Sequence, residues 1–232
     1  MRLDGVRALV TGASRGLGRA VAEGFAAEGA RLALTATEER HLDAVLAAVR
    51  DRGAEAHGVA LDLADPASCA AAGAEALGAL GRLDVLVNNA SVLGDQMNLA
   101  DHRMDVFDQV MAVNVTGTLR LIQAVLPGMS DGGAIVNVTS GAAARATWGA
   151  YAVSKHALDG MTLMLREELA PRAIRCVAVN PGGLRTAMRA AAHPDEDPAT
   201  LPRPESVVPL FLAIAEGADP GPHVNARDWG AD

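Results

Sequence analysis

Residues 6–29 read VRALVTGASRGLGRAVAEGFAAEG, and this stretch decides the fold. Its first seven residues form a short apolar run that ends at a glycine, which predicts a buried β-strand over 6–12. Residues 17–28 carry apolar side chains at helical spacing, and Gly29 is a typical helix stop, so a helix follows the strand. The turn between the strand and the helix is rich in glycine: Gly12, Gly16 and Gly18.

The rest of the chain repeats this alternation. Further strands are predicted at 31–37, 55–62, 83–90, 133–139 and 174–179, and further helices at 39–52, 66–80, 103–126, 149–170 and 204–216. Apolar strands separated by helices are typical of a parallel sheet covered on both faces. We therefore expect one doubly wound, Rossmann-like α/β domain over residues 1–232, with six or seven mainly parallel strands. The tail after residue 216 is compatible with a short edge strand.

Composition and charge exclude several classes of function. The net charge is −8 and aromatic residues make up 3% of the chain, which argues against a nucleic-acid or anionic-membrane surface. The six histidines never fall at ligand spacing, so no metal site is predicted. Cys69 and Cys176 stand alone in apolar contexts, which predicts two buried thiols. The N-terminal stretch does not resemble a signal peptide, and no apolar run is predicted to approach membrane-spanning length, so a cytoplasmic protein is expected.

The glycine-rich loop predicts a dinucleotide site. Glycines let the backbone turn sharply and let a pyrophosphate approach, while the N-terminus of the following helix offers free N–H groups. Gly18 would also let the helix pack closely on the sheet. An ordinary strand–helix turn is the alternative, but the position directly after the first strand favours the phosphate loop.

The type of cofactor depends on the end of the second strand. An acidic residue there would bind the ribose 2′-hydroxyl of NAD, but this strand ends in TAT at Thr37. Arg15 lies within the glycine loop, where its guanidinium can pair with a 2′-phosphate, and Thr37 can donate to the same group. The sequence therefore predicts NADP(H) over NAD(H), which stays possible. Asp62 can accept from the adenine amino group or, equally, cap the turn before Pro66.

Tyr151 and Lys155 stand four residues apart in YAVSK on a predicted helix, so they share one face. A tyrosine has an unperturbed pKa of about 10, and a nearby positive charge lowers the pKa of the phenol. These two residues therefore predict general acid–base chemistry near neutral pH. Ser140, at the end of the strand GAIVNVTS, is placed to hold an oxygen beside them. An exposed Tyr/Lys pair on a helix surface is the simpler alternative.

Taken together, these residues resemble the short-chain dehydrogenase/reductase family over about residues 5–216. TGASRGLG resembles the TGxxxGxG cofactor loop, NNAS (88–91) resembles the NNAG segment with Ser91 in place of glycine, and NPGGLRT (180–186) resembles the NPGxxxT segment. The resemblance is strongest to NADPH-dependent ketoreductases. It implies reversible hydride transfer between NADP(H) and a small-molecule carbonyl or alcohol substrate.

The resemblance also implies roles for individual residues. Tyr151 would give a proton to the carbonyl oxygen, and Lys155 would lower the pKa of Tyr151 and bind the nicotinamide ribose. Ser140 would hold the substrate oxygen, and Asn114 would anchor a water that relays protons to Lys155. The implied catalytic residues are thus Asn114, Ser140, Tyr151 and Lys155. The implied cofactor-binding residues are Gly12, Ser14, Arg15, Gly16, Leu17, Gly18, Thr37, Asp62, Leu63, Asn89, Ala90, Tyr151, Lys155, Pro181, Gly182 and Thr186.

Each assignment has a structural alternative. Ser140 can cap a strand end, Asn114 can satisfy backbone groups inside a helix kink, and Lys155 can lie on the surface. The serine also precedes the tyrosine by eleven residues, whereas the family usually has a dozen or more, so a shortened loop is expected. The chain further lacks the glycine-rich last strand that often closes the family's sheet. A dinucleotide-binding sensor or scaffold without catalysis is therefore the second hypothesis, and an epimerase or dehydratase is a weaker third.

The irregular stretch 182–203 is interpreted as a flap over the substrate, with a solvated loop as the alternative. The expected apolar lining of the pocket comprises Leu93, Gly94, Trp148, Leu184 and Met188. The family commonly associates through its two long central helices, so a homodimer or homotetramer is expected here. The apolar faces of those helices, which the core could equally use, are Leu119, Ile122, Val125, Ala157, Met161 and Leu165.

Overall fold

The computed structural model describes residues 1–141 and 146–230. It contains a sheet in the strand order β3-β2-β1-β4-β5-β6-β7, in which every neighbouring pair is parallel. This arrangement confirms the predicted doubly wound, Rossmann-like domain. The strands are β1 Arg7–Val10, β2 Arg31–Ala36, β3 Ala56–Ala60, β4 Leu83–Asn88, β5 Met129–Val138, β6 Arg175–Asn180 and β7 His223–Asn225.

Helices cover both faces of the sheet. The helices α1, α2 and α8 pack on one face, and α3, α5 and α6 pack on the other. Between α4 and α5 the chain forms a π-helical turn at Ala112–Gly117. The helices are α1 Gly16–Ala27, α2 Asp43–Arg50, α3 Pro66–Leu80, α4 Met104–Met111, α5 Thr118–Val125, α6 Gly149–Glu168, α7 Ala187–Ala192 and α8 Val208–Glu216.

The strands read as continuous apolar runs because each is buried on both sides. Along β4, Val85 and Val87 belong to the core on one face of the sheet, and Leu86 belongs to the core on the other. All three side chains are almost fully buried. Successive side chains of a strand point to opposite faces, so a central strand with helices above and below is apolar at successive positions along its middle.

The switch point of the sheet lies between β1 and β4, because the chain builds outward from β1 to β3 and then returns to build the other half. Ligands in such sheets bind at the carboxyl ends of the strands near this point. Asn89, directly after β4, fixes the neighbouring glycine loop: its Nδ2 donates to the carbonyl oxygens of Thr11 at 2.9 Å and Gly12 at 3.2 Å. The backbone N–H of Asn89 also donates to Thr11 Oγ1 at 2.9 Å.

Gly18 confirms the predicted close contact between α1 and the sheet. A Cβ added to Gly18 would lie 2.4 Å from the Gly12 carbonyl oxygen and 2.5 Å from Asn89 Nδ2. No side chain fits there, so glycine at this position lets the helix approach the loop and β4.

Several predicted boundaries need correction. Strand β5 begins at Met129 rather than residue 133, with a register shift against β4 near a left-handed Gly132. The predicted helices 39–52 and 204–216 each begin with a 3₁₀ turn, at Glu39–Leu42 and Pro204–Val207. The predicted helix 103–126 is divided by the π-turn. The tail does add an edge strand, β7, which closes the sheet beside β6.

The stretch 182–203 is not wholly irregular, since it contains α7. Thr186 caps this helix by accepting a hydrogen bond from the Arg189 amide at 3.2 Å. Residues 142–145, in the loop before Tyr151 that was expected to be shortened, lie outside the described residues.

The sequence reading that no apolar run approaches membrane-spanning length is also corrected. The helical run Met104–Gly128 has 25 residues and a mean hydropathy of 1.3, long and apolar enough by length and composition. In this fold α4 packs against α6 and α5 packs against α3, as a core helix of a doubly wound domain does. Of the residues assigned to the apolar faces of the two central helices, Ile122, Val125 and Leu165 are buried in the core.

Two glycines of α3 give a matched test of this packing. A Cβ on Gly73 would lie 2.7 Å from Ala124 Cβ on α5, whereas a Cβ on Gly78 would meet nothing within 4 Å. We expect Gly73→Ala to lower the free energy of unfolding by about 1–3 kcal/mol through overpacking. We expect Gly78→Ala to raise it by about 0.5–1 kcal/mol through helix propensity alone. Urea denaturation of both variants checks this, and equal effects at the two positions would contradict the close α3–α5 contact.

Candidate active site

A cavity of about 1320 Å³ opens at the carboxyl ends of the central strands. The glycine loop, the ends of β2 to β6, the start of α6 and the α7 segment all contribute to its walls. Among the predicted site residues, only Gly18 and Asn114 are absent from the walls. The predicted residues that line the cavity are Gly12, Ser14, Arg15, Gly16, Leu17, Thr37, Asp62, Leu63, Asn89, Ala90, Ser140, Tyr151, Lys155, Pro181, Gly182 and Thr186.

The N-terminus of α1 forms one part of this cavity and fits a pyrophosphate. No side chain caps the helix at Arg15, and its first turn carries no acidic residue. Gly12 and Gly16 have φ values of +63° and +59°, a left-handed backbone conformation that residues other than glycine rarely adopt. A helix start with open N–H groups and a positive dipole end is suited to an anion. Thr186 faces the loop, 3.4 Å from where a Gly16 Cβ would lie.

The end of the cavity beside β2 and β3 carries the residues predicted to select the cofactor. Arg15 and Thr37 are both exposed there. His41, which sequence reasoning did not single out, lines the same end. Asp62 lines the cavity. Its Oδ1 also accepts a hydrogen bond from the Ala64 backbone N–H at 2.9 Å, so Asp62 stabilises the turn after β3 as well. The cap of α3 is a different residue, Asp65.

Ser140, Tyr151 and Lys155 come together at the other end of the cavity. The Tyr151 side chain is 7% exposed and hydrogen-bonds the Ser140 side chain. Lys155 is 2% exposed, and its Nζ donates to the Val138 carbonyl oxygen at 2.8 Å. The ammonium lies against the face of the phenol ring, 5.4 Å from its centroid. The pair is therefore buried, and the alternative of an exposed Tyr/Lys pair is wrong.

Burial controls the protonation of both groups. It raises the pKa of Tyr151, against a smaller lowering by the Ser140 hydrogen bond. It lowers the pKa of Lys155 to about 8, against a smaller raising by the nearby Asp159 carboxylate. The expectation that Lys155 lowers the pKa of Tyr151 is therefore not met. The ammonium is directed at the Val138 carbonyl, and removing a phenolate from water dominates the balance.

Asn114 lies fully buried in the π-turn, outside the cavity walls. Its Oδ1 accepts from the Val92 amide at 2.9 Å, and its Nδ2 donates to the Val92 carbonyl at 2.9 Å and to Ser154 Oγ at 3.0 Å. These bonds correspond to the alternative in which Asn114 satisfies backbone groups inside a helix kink. The side chain joins the π-turn to the chain after β4 and to α6.

Trp148 lies between the start of α6 and the α7 segment. Its ring is 5.9 Å from the ring of Tyr151 and 5.6 Å from that of His193, centroid to centroid. Leu93, Leu184 and Met188 line the cavity as expected. Gly94 does not, because its backbone packs against α4, where an added Cβ would lie 2.6 Å from Val110 Cγ2.

Sequence reasoning missed several residues of this wall. Asn180 ends β6, Arg189 lies in α7, Leu201 and Pro202 follow α7, and Asn225 and Arg227 lie in and just after the short strand β7. The missed residues include Asn180, Arg189, Leu201, Pro202, Asn225 and Arg227.

The cysteines take no part in the cavity. Cys69 and Cys176 are buried and unpaired, as predicted, and burial raises the pKa of Cys176 to about 12. Within residues 1–141 and 146–230, no three His, Cys, Asp or Glu side chains are grouped as a metal site would require.

Tyr151 is the one tyrosine of the chain, so its ionisation can be followed directly. We expect the tyrosinate absorbance of the folded protein to rise at higher pH than that of the urea-unfolded chain, because burial disfavours the phenolate. Ser140→Ala removes the hydrogen bond that opposes this effect and is expected to move the folded midpoint higher still. A folded midpoint below the unfolded one would show that burial does not dominate.

Comparison with known proteins agrees with this geometry. The profile of the short chain dehydrogenase family matches residues 7–197. The uncharacterized oxidoreductase YciK of Escherichia coli K12 is 40% identical over 214 residues, which cover 88% of this chain and 83% of YciK. The 3-oxoacyl-[acyl-carrier-protein] reductase FabG of Vibrio cholerae is 35% identical over 232 residues, 94% of this chain and 93% of FabG.

Solved structures agree as well. A short chain dehydrogenase from Shigella flexneri 2a, solved in complex with NADP, superposes with a TM-score of 0.91 at 36% identity. The match covers 97% of this chain and 98% of that one. The chain belongs to the short chain dehydrogenase family of oxidoreductases.

Proposed function

We propose that this protein is an NADP(H)-dependent oxidoreductase that interconverts a carbonyl and an alcohol at Ser140, Tyr151 and Lys155. The observation that carries the proposal is the grouping of these three side chains in one cavity with the open N-terminus of α1. The cavity thus combines a place for a pyrophosphate with a proton donor at its other end. When bound, the nicotinamide supplies or accepts the hydride.

The preference for NADP(H) rests on charge at the cavity end beside β2. Arg15 provides a guanidinium and Thr37 a hydroxyl, and strand β2 ends without an acidic residue that would repel a 2′-phosphate. The related Shigella flexneri protein was solved with NADP, which supports the same cofactor here.

Tyr151 is the proton donor in the direction of reduction. A phenol with a raised pKa keeps its proton at neutral pH and can give it to the carbonyl oxygen as hydride reaches the carbon, so that an alcohol forms. Ser140 hydrogen-bonds the phenol and is placed to hold the same substrate oxygen, which aligns donor and acceptor.

Lys155 can restore the proton that Tyr151 gives away. Its pKa of about 8 lets it exist in both protonation states near neutral pH. The Val138 carbonyl keeps its nitrogen beside the phenol ring in either state. The same nitrogen is placed to hold a ribose hydroxyl of the cofactor. The Asn114 side chain, already bonded to Val92 and Ser154, positions α6 in this scheme.

The segment 182–203 acts as a flap over the substrate in this proposal. Met188, Arg189, Leu201 and Pro202 form a wall of the cavity, and His193 contacts Trp148 beside Tyr151.

A homodimer or homotetramer is also proposed. Leu163 and Met164 on α6 are large apolar side chains that stay exposed at 53% and 62%, and they suit such a contact better than the buried Leu165.

Tyr151→Phe removes the proton donor without changing the size of the ring. We expect turnover to fall by at least about 100-fold, the usual contribution of general acid catalysis. NADPH affinity should change little. NADPH oxidation with a panel of ketones, aldehydes and quinones measures turnover. A fluorescence titration with NADPH measures the affinity for the cofactor.

Trp229→Phe, an exposed aromatic residue outside the cavity walls, is the control and should keep full activity. Unchanged turnover in Tyr151→Phe would contradict the mechanism. Tight NADPH binding by the wild type with no turnover on the whole panel would favour the sensor or scaffold instead.

Arg15→Gln tests the cofactor preference. A charge-assisted hydrogen bond contributes about 1.5–3 kcal/mol, so the KM for NADPH should rise about 10- to 100-fold. The KM for NADH, which has no 2′-phosphate, should stay the same. Arg19→Gln is the matched control, because Arg19 lies on the helix that Arg15 precedes but is paired with Glu23 outside the cavity walls. An equal loss with NADPH and NADH would contradict the assigned contact.

A further inference from the structure

The cavity has the opposite charge to the rest of the molecule. The chain carries a net charge of −8. Yet four cationic side chains line the cavity, and Asp62 is the only carboxylate among the lining residues in the described part of the chain. The four cations are Arg15, Lys155, Arg189 and Arg227. A cleft with one sign of charge concentrates ligands of the other sign.

These charges are divided between the two ends of the cavity. Arg15 and Asp62 lie at the end proposed for the adenosine. Lys155, Arg189 and Arg227 lie toward the substrate, with no carboxylate in the walls around them. Arg189 is neutralised, because its guanidinium makes two bonds to the Glu196 carboxylate at 2.6 and 2.8 Å. Lys155 is committed to the Val138 carbonyl and the phenol ring.

Arg227 is the cation that remains available. Among residues 1–141 and 146–230 its guanidinium makes no hydrogen bond and no ion pair, and the side chain is exposed in the cavity wall. The neighbouring Asp228 makes no ion pair with it; the Asp228 carboxylate instead accepts a hydrogen bond from Asn225 Nδ2 at 3.0 Å.

The edge strand β7 places Arg227 at the rim that also holds Ser140. Asn225 pairs in register with Asn180 at the end of β6, and Asn180 Nδ2 donates to Asn225 Oδ1 at 2.9 Å. The same Asn180 nitrogen lies 3.1 Å from where a Cβ of Gly141 would be, directly after Ser140. Arg227 Nη2 is 3.6 Å from the corresponding point on Gly182, which has no side chain to block the approach.

We propose that the substrate carries an anionic group, a carboxylate or a phosphate monoester, which Arg227 binds while the reacting carbonyl lies at Ser140 and Tyr151. The inference rests on the proposed function and makes Arg227 a specificity-determining residue. A planar guanidinium forms two parallel hydrogen bonds to either anion, which fixes both distance and orientation. The positive substrate end of the cavity would also attract such a molecule from solution.

Matched pairs of substrates test this with the enzyme and NADPH. One arm compares keto acids of increasing chain length with their methyl esters, and a second compares hydroxyketone phosphates with the free hydroxyketones. We expect at least one anionic member to exceed its neutral partner in kcat/KM by about 10-fold or more, as a charged hydrogen bond provides. That advantage should shrink as salt is added. The arm that shows it identifies the anion.

Arg227→Gln should remove this advantage and leave kcat/KM for the neutral partner unchanged. Arg203→Gln makes the same change of charge at an exposed arginine outside the cavity walls and should behave as wild type. A readout independent of turnover is quenching of tryptophan fluorescence, since Trp148 lines the cavity. In the presence of NADP⁺, a saturated carboxylic acid should quench the wild type more strongly than its amide, and Arg227→Gln should abolish the difference.

Equal kcat/KM for anionic and neutral partners in the wild type would overturn the inference while leaving the proposed function intact. So would an Arg227→Gln variant that loses NADPH affinity and slows both partners alike, because Arg227 would then bind the cofactor. Failure of the wild type to turn over any member, neutral ones included, would instead contradict the proposed function, and the inference with it.

Discussion

Burial of the Lys155 ammonium is the constraint on which the site depends. A charge that is almost wholly removed from water must be compensated locally, and here the Val138 carbonyl at the end of β5 compensates it. This bond joins α6 to the end of a central strand. As a result the phenol one turn earlier meets the serine that follows the same strand. Lys155 is the only lysine of the chain, and every other basic side chain apart from histidine is arginine. Arginine does not lose its proton in proteins, so the proton release proposed for this position needs a lysine rather than an arginine.

A second set of polar contacts holds the frame around that bond. Asn88 on β4 donates to Asn137 on β5 at 2.9 Å, and Asn137 donates to Thr162 on α6 at 2.9 Å. All three side chains are buried. A satisfied buried network specifies one relative position of its members, because any shift leaves a polar group without a partner. Together with the bonds of Asn89 to the glycine loop, it keeps the two ends of the cavity in fixed relation.

The sequence predicts most of the frame and the grouping of Ser140, Tyr151 and Lys155, for a physical reason. Strands buried on two faces give unbroken apolar runs, and the motif residues stand at strand ends or one helical turn apart, so their grouping follows from the topology. The pKa directions do not follow, because spacing shows that Lys155 is near Tyr151 but not that both are buried. Asn225, in a three-residue edge strand, and Arg227, in the short turn after it, were missed because segments this short have no periodicity to detect. Helix α7 did have a signal, Thr186 before a run of strong helix formers, which the nearby prolines obscured.

The π-turn that holds Asn114 has a consequence for how this family member can vary. A wider turn inserts a residue into an otherwise α-helical rod, and each residue of an α-helix rotates the facing direction by about 100°. The insertion lets α4 pack against α6 while α5 packs against α3. Deleting one residue between Ala112 and Gly117 would straighten the rod but swing Leu121, Ile122 and Val125 out of the interior. The number of residues in this short segment thus sets the direction in which the apolar face of α5 points. That number is constrained even where the individual side chains are free to change.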